Sequence, residues 1–107
     1  MPTAADSGPL VNVDGTVRLA GRLGIDTVPA LAAQGPTLFA GQASVVVDLA
    51  AIDRAESAGL ALLLEWRRTA RAAGCTVTYR NVPTSLRSIA SACGVDAVLE
   101  LDLVAIE

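Results

Sequence analysis

The hydrophobic pattern along this chain changes period repeatedly, and each change marks an element. Leu10 to Val13 and Thr16 to Ala20 alternate apolar and polar positions, with Asp14-Gly15 between them as a turn signal. These residues predict an opening β-hairpin, and Gly21 to Gly24 reads as a loop after it. Asp26 or Thr27 is placed to cap a helix with Pro29 in its first turn, running to about Gln34 and stopped by Gly35-Pro36. Ser44 to Leu49 is a continuous β-branched run, the pattern of a central strand covered on both faces, and a short polar turn should follow it. From Ser57 to Ala73 the apolar positions take helical spacing, with Gly59, Leu62, Leu63, Trp66, Ala70 and Ala73 on the stripe facing the sheet, and Gly74 ends the helix. Cys75 to Arg80 alternates as a strand. Pro83 opens another helix, in which Leu86, Ile89, Ala90 and Cys93 repeat before Gly94-Val95. Val98 to Val104 predicts a last strand. The order β-β-α-β-α-β-α-β predicts a small α/β sandwich, its parallel strands joined by crossover helices. Residues 1–9 read as a flexible tail and 10–107 as one domain.

Composition changes this picture mainly by exclusion. The chain has no histidine and its eight basic residues are all arginine. That removes Ser-His-Asp and Cys-His catalysis, Ser-Lys dyads, Schiff bases and the phosphate-binding lysine of a P-loop. Net charge is −3 and the arginines are scattered, so no basic footprint for nucleic acid is visible. Cys75 and Cys93, with no histidine to complete a zinc pattern, read as small core fillers in a reducing compartment. The longest apolar stretch, Ala58 to Leu64, is far short of the ~20 residues that a bilayer span needs. Residues 1–9 contain Asp6 and Pro9 and lack a signal-peptide pattern, so a soluble cytosolic protein is expected, with no cofactor.

Candidate chemistry gathers between Asp48 and Leu64. The strand-to-helix turn delivers Ser57 to the start of the long apolar helix, where free N–H groups and the dipole favour negative charge. A serine there is a helix cap, a nucleophile or a phosphate acceptor. Ala55-Glu56-Ser57-Ala58-Gly59 has the outline of a nucleophile elbow, but without histidine nothing activates the hydroxyl. No catalytic residue is therefore expected; Ser57 reads as the N-cap, and a phosphate there would suit a binding switch. On the same helix Ser57, Leu60, Ala61, Leu64, Arg67 and Arg71 trace a ridge beside the core stripe. Leu60 and Leu64 are more apolar than a solvated face needs. They either pack under a neighbouring loop or form a partner surface rimmed by Arg67 and Arg71. Asp48, Asp53 and Glu56 lack a phosphate-cradling loop and read as turn and cap residues, so no metal is expected. Glu65 and Arg68 are spaced to pair on a solvated face.

Four stretches together resemble the STAS domain, shared by anti-sigma-factor antagonists and the small MlaB-like subunit of bacterial phospholipid ABC transporters. They are Gly21-Arg-Leu-Gly-Ile-Asp-Thr-Val-Pro-Ala-Leu31, Val45-Val-Val-Asp-Leu49, Glu56-Ser57-Ala58-Gly59-Leu60 and Asn81-Val-Pro through Ala92-Cys-Gly-Val95. The resemblance implies an α/β STAS fold, a mixed and mainly parallel sheet packed with helices. It implies a non-enzymatic cytoplasmic protein that binds and regulates or stabilises the ABC ATPase of a Mla-type transporter, held at the inner membrane through that ATPase. Ser57, Leu60, Ala61, Leu64, Arg67 and Arg71 would then form the docking surface. The sister branch implies the alternative, an antagonist switched by phosphorylation of Ser57 by an anti-sigma-factor serine kinase. Gly59-Leu-Ala-Leu-Leu-Leu64 followed by Ala70-Arg-Ala-Ala-Gly74, and Glu56 in place of the regulators' aspartate, are closer to the transporter branch.

Overall fold

The computed structural model describes residues 16–95 and the backbone of residues 11–13. Its strands are β1 (Val11–Val13), β2 (Thr16–Leu23), β3 (Ser44–Ala55) and β4 (Thr76–Arg80), in that order across one sheet. β1 lies antiparallel to β2, as an opening hairpin requires, while β2, β3 and β4 run parallel. The helices are α1 (Val28–Ala33), α2 (Gly35–Phe39), α3 (Ser57–Ala72) and α4 (Thr84–Ala92). The last expected strand, Val98 to Val104, lies outside the described residues, as does the tail at 1–9.

The register explains the core. Val17, Val47 and Tyr79 stand side by side across β2, β3 and β4, and all three are buried with Leu19, Val45 and Leu49 against Leu62, Leu63, Trp66 and Leu86 of the helices. The other face carries Arg18, Asp48 and Arg80 in one row and Thr16, Val46 and Thr78 in the next, and none of these is buried. Among the described residues, helices therefore cover β3 on one face only, not on both as its β-branched run suggested. The alternation hidden in Val45-Val46-Val47 is between a buried and a half-exposed valine.

Four boundaries differ from the sequence reading, each for a physical reason. β2 continues through Gly21 to Leu23 and β3 through Ala50 to Ala55, joined by pairs such as Leu23↔Ala55, whereas β4 stops opposite Asp48. Beyond Leu49, β3 has a partner on one side alone and no buried residue, so no hydrophobic alternation betrays it. Gly35-Pro36 ends α1 but also starts α2: Gln34 closes one helix and caps the next, and Pro36 occupies the first turn, where its missing N–H costs nothing. Ala73 is the exposed C-cap residue of α3 rather than part of its buried stripe.

α3 and α4 end alike. Gly74 and Gly94 have φ of +76° and +75°, and the following N–H groups of Cys75 and Val95 reach back to the carbonyls of Ala70 and Ala90 at 2.8 and 2.9 Å. These are paired Schellman caps, which need a residue without Cβ at the left-handed position. Cys75 is buried there as expected, and burial pushes its thiol pKa up. Cys93 is exposed, so it is not a core filler.

The phenol of Tyr79 is fully buried and donates to the Leu63 carbonyl at 2.7 Å, tying β4 to α3. Burial raises its pKa far above the ordinary 10.0 and outweighs the nearby Arg67 charge. Because the folded value exceeds the unfolded one, this contribution to stability is complete below pH ~10 and is lost as pH rises further and the unfolded chain ionises. The phenolate absorbance of this single tyrosine is expected to stay silent at alkaline pH until the protein unfolds. Tyr79→Phe should cost about 1 kcal/mol at neutral pH and flatten the alkaline fall in denaturation midpoint. A phenolate signal from protein that remains folded would contradict this.

Candidate functional site

The C-terminal ends of β2 and β3 extend past β4 and carry the start of α3 with them. The link is local: the Glu56 N–H donates to the Leu23 carbonyl at 2.9 Å, closing the β2–β3 ladder, and the Gly59 N–H then donates to the Glu56 carbonyl at 2.8 Å, opening the helix. Glu56, with φ −112° and ψ 179°, is the N-cap residue. Ser57 is the first helical residue, one position later than its expected capping role, and no side chain caps α3. The hydroxyl is consequently not committed to the helix terminus, and Ser57 is exposed.

Of the expected ridge on α3, Ser57, Ala61 and Arg71 are exposed, while Leu64 and Arg67 are half-buried. Leu60 is buried, 6% exposed, within the main core, so it is not available as an anchor. Its apolar character comes from packing under neighbouring chain, the plainer of the two readings. Leu64 also packs against the core from its edge. What remains outward is narrower than expected, a strip of Ser57, Ala61 and part of Leu64 leading to Arg67 and Arg71. The Arg68 guanidinium donates to Glu65 at 2.6 and 3.3 Å, as their spacing predicted.

Beside Ser57 lies the loop after β2, part of the Gly21–Leu31 stretch, in which the sequence reading placed no site residue. Its Ile25 is 79% exposed and is the only large hydrophobic residue so exposed among those described. The loop is braced from within. Thr27, the N-cap residue of α1, turns its hydroxyl away from the helix, donating to the Arg22 carbonyl at 2.8 Å and accepting the Gly24 N–H at 2.9 Å. The Arg22 guanidinium donates to the Asp26 carboxylate. This bond raises the arginine pKa and holds the aspartate below its ordinary value. Arg22, Asp26 and Glu56 converge on Gly24: a Cβ there would stand 3.1 Å from Arg22 Nη1, 3.1 Å from Glu56 Oε1 and 3.2 Å from Asp26 Oδ1. Glycine thus lets three charged groups close around the backbone beside Ser57. A lone large apolar residue between Gly24 and Asp26 was the signal available in sequence.

The carboxylates expected to serve as turn and cap residues divide their work. Asp48 accepts the Asn81 side-chain amide at 3.0 Å and the Ala50 N–H at 2.9 Å. Partial burial works to raise its pKa, but these hydrogen bonds and the Arg18 and Arg80 charges prevail, and the net shift is downward. Asn81, with φ +58°, is the one non-glycine residue in the left-handed region among those described, so Asp48 fixes the turn leaving β4. Glu56 caps α3 through its backbone. Among the described residues no group of three His, Cys, Asp or Glu could hold a metal ion. No described helix is long and apolar enough to cross a membrane.

This arrangement, a mainly parallel sheet with helices on one face and an exposed hydroxyl opening the long helix, is that of a STAS domain. The family model described as "Mlab, STAS domain" matches residues 10–104, and the chain belongs to this family. The solved structure of the anti-sigma factor antagonist SpoIIAA in its unphosphorylated form is similar, with a TM-score of 0.62, 20% identity, and coverage of 77% of this chain and 79% of that one. An anti-sigma factor antagonist from Mycobacterium paratuberculosis is likewise similar, with a TM-score of 0.61 and 25% identity over 86% of this chain and 80% of that one. No curated protein gives a significant match.

Proposed function

We propose that this chain is a non-enzymatic binding subunit that docks on the cytosolic ATPase of a Mla-type phospholipid transporter through the start of α3. The observation that carries the reading is the exposed, uncommitted Ser57 leading along α3 to Ala61, with Ile25 on its braced loop beside it. Rigid presentation lowers the entropy lost on association, and a small exposed strip lets a partner approach the helix closely. α1 and α2 extend this uncharged character, since no charged residue occurs between Asp26 and Asp48. A subunit of this kind acts by binding one conformation of the ATPase better than another, which shifts its population without any chemistry of its own. The family model's description favours this branch.

Purification of the native complex tests the reading. The ATPase subunit is expected to co-purify with the wild-type chain, and Ala61→Glu, which places a negative charge on the strip, should reduce its recovery about tenfold or more while leaving the thermal midpoint unchanged. A native complex without an ATPase, or undiminished recovery with Ala61→Glu, would refute it. The similarity to the mycobacterial antagonist supports a second reading, an anti-sigma-factor antagonist switched at Ser57. Stoichiometric phosphorylation of Ser57 together with a co-purifying serine kinase would establish that branch instead.

A further inference from the structure

The chain's net charge is −3, yet its described residues carry three more arginines than acids. Between residues 16 and 95 all eight arginines are present, but only Asp26, Asp48, Asp53, Glu56 and Glu65 oppose them. The remaining acids lie in residues 1–15 and 96–107. The excess is not spread evenly. On the strands and loops Arg18, Arg22, Arg54 and Arg80 are matched in number by Asp26, Asp48, Asp53 and Glu56. α1 and α2 carry no charge at all, so the whole surplus falls on α3 and α4, where Arg67, Arg68, Arg71 and Arg87 face a single acid, Glu65. Glu65 is already engaged by Arg68. Arg67, Arg71 and Arg87 have no ion-pair partner among the described residues. Arg67 and Arg71 stand one turn apart on α3, and α4 packs against that helix.

We propose that the α3–α4 arginine surface is a docking face for an acidic protein segment. This deepens the reading of α3 as the partner-binding helix by giving the partner a chemistry. Charge complementarity selects the sign of the occupant, and guanidinium groups select carboxylates through paired, planar hydrogen bonds. A lipid surface fits less well, because an interfacial helix needs large apolar side chains to insert beside its cations. The exposed large hydrophobic residue, Ile25, lies on the loop after β2, outside α3 and α4. Ala61 and the half-buried Leu64 further up α3 suit the aliphatic flank of a peptide segment instead.

The test uses a labelled poly-glutamate peptide, with vesicles of phosphatidylglycerol in phosphatidylcholine as the competing surface. Wild-type protein is expected to bind the peptide at low ionic strength, with affinity falling steeply as salt rises. Arg67→Glu/Arg71→Glu should weaken binding about tenfold or more. Arg54→Glu/Arg80→Glu, which changes net charge by the same amount on the sheet side, should weaken it less than about twofold. Arg71→Glu alone, at an exposed position, should give an intermediate loss and guards against misfolding of the double variant. Equal loss in both double variants, absence of peptide binding, or capture by the vesicles in preference to the peptide would overturn the proposal. The ATPase reading fails separately. Peptide binding that depends on Arg67 and Arg71, in a protein whose native complex lacks an ATPase, would sink only that reading. An ATPase complex indifferent to both substitutions would sink only this proposal.

Discussion

Trp66→Ala is expected to leave most of the protein unfolded near room temperature. Trp66 is the largest fully buried side chain, and it is where three separately formed elements are joined. Its indole N–H donates to the Leu31 carbonyl in α1 at 3.1 Å. Its ring meets Phe39 of α2 edge to face, with centroids 5.9 Å apart and planes at 85°. Gly35, the first residue of α2, sits so close that a Cβ there would stand 3.1 Å from the indole Cδ1. Emptying such a site costs ~3–5 kcal/mol, comparable to the whole stability of a small domain at the low end of its range. It also leaves the Leu31 carbonyl without its partner, which adds a desolvation cost of roughly 1–3 kcal/mol if water cannot reach it. Circular dichroism with urea titration would check this. Trp66→Phe separates the contributions, because it restores most of the volume but not the N–H, and should recover more than half of the loss. A midpoint for Trp66→Ala within ordinary surface-substitution range would show that α1 and α2 pack independently of the indole.

The elements the sequence made legible are those with a face in the core. The helical stripe Gly59, Leu62, Leu63, Trp66 and Ala70 is buried throughout, and the parallel order of β2, β3 and β4 follows from the alternation of short strands with helices. The family resemblance carried the STAS fold, which no composition or spacing could have supplied. What escaped was where burial and local pattern part. The extension of β3 to Ala55 has no buried residue, so its pairing with β2 left no trace in hydrophobicity. Leu60 is apolar at the flank of the stripe, and sequence spacing alone does not say whether neighbouring chain covers that flank; here it does. At Ser57 the one-residue difference between capping and following the cap decides whether the hydroxyl is occupied or free. That distinction rests on the extended backbone of Glu56, which is set by its bond to Leu23 on another strand. The Gly24 cluster was invisible for a similar reason, since Glu56 is brought beside the local Arg22–Asp26 pair by strand register rather than by sequence proximity.

Gly59 ties stability to the proposed docking surface, and Gly59→Val is the second large effect expected. A Cβ at this position would lie 3.1 Å from Leu23 Cβ, 3.3 Å from Leu23 Cδ1 and 3.4 Å from Leu86 Cδ2. Leu23 Cβ is fixed to the strand backbone, which cannot yield as a side-chain tip does, so α3 itself must move away from β2. Overpacking of this kind costs ~1–3 kcal/mol. The displacement acts two residues from Ser57 and strains the Glu56–Leu23 hydrogen bond that seats the helix. Gly59→Val should therefore lower the denaturation midpoint and also weaken ATPase recovery by more than its stability loss explains. Gly59→Ala gains up to about 1 kcal/mol of helix propensity against a smaller clash, so its net effect should be much milder. Amide exchange at Glu56 and Gly59 gives the local readout, with faster exchange in the valine variant at temperatures where the protein remains folded. Unchanged exchange there, alongside a lowered midpoint, would mean that the clash is absorbed by Leu86 and α4, and that α3 holds Ser57 in place regardless.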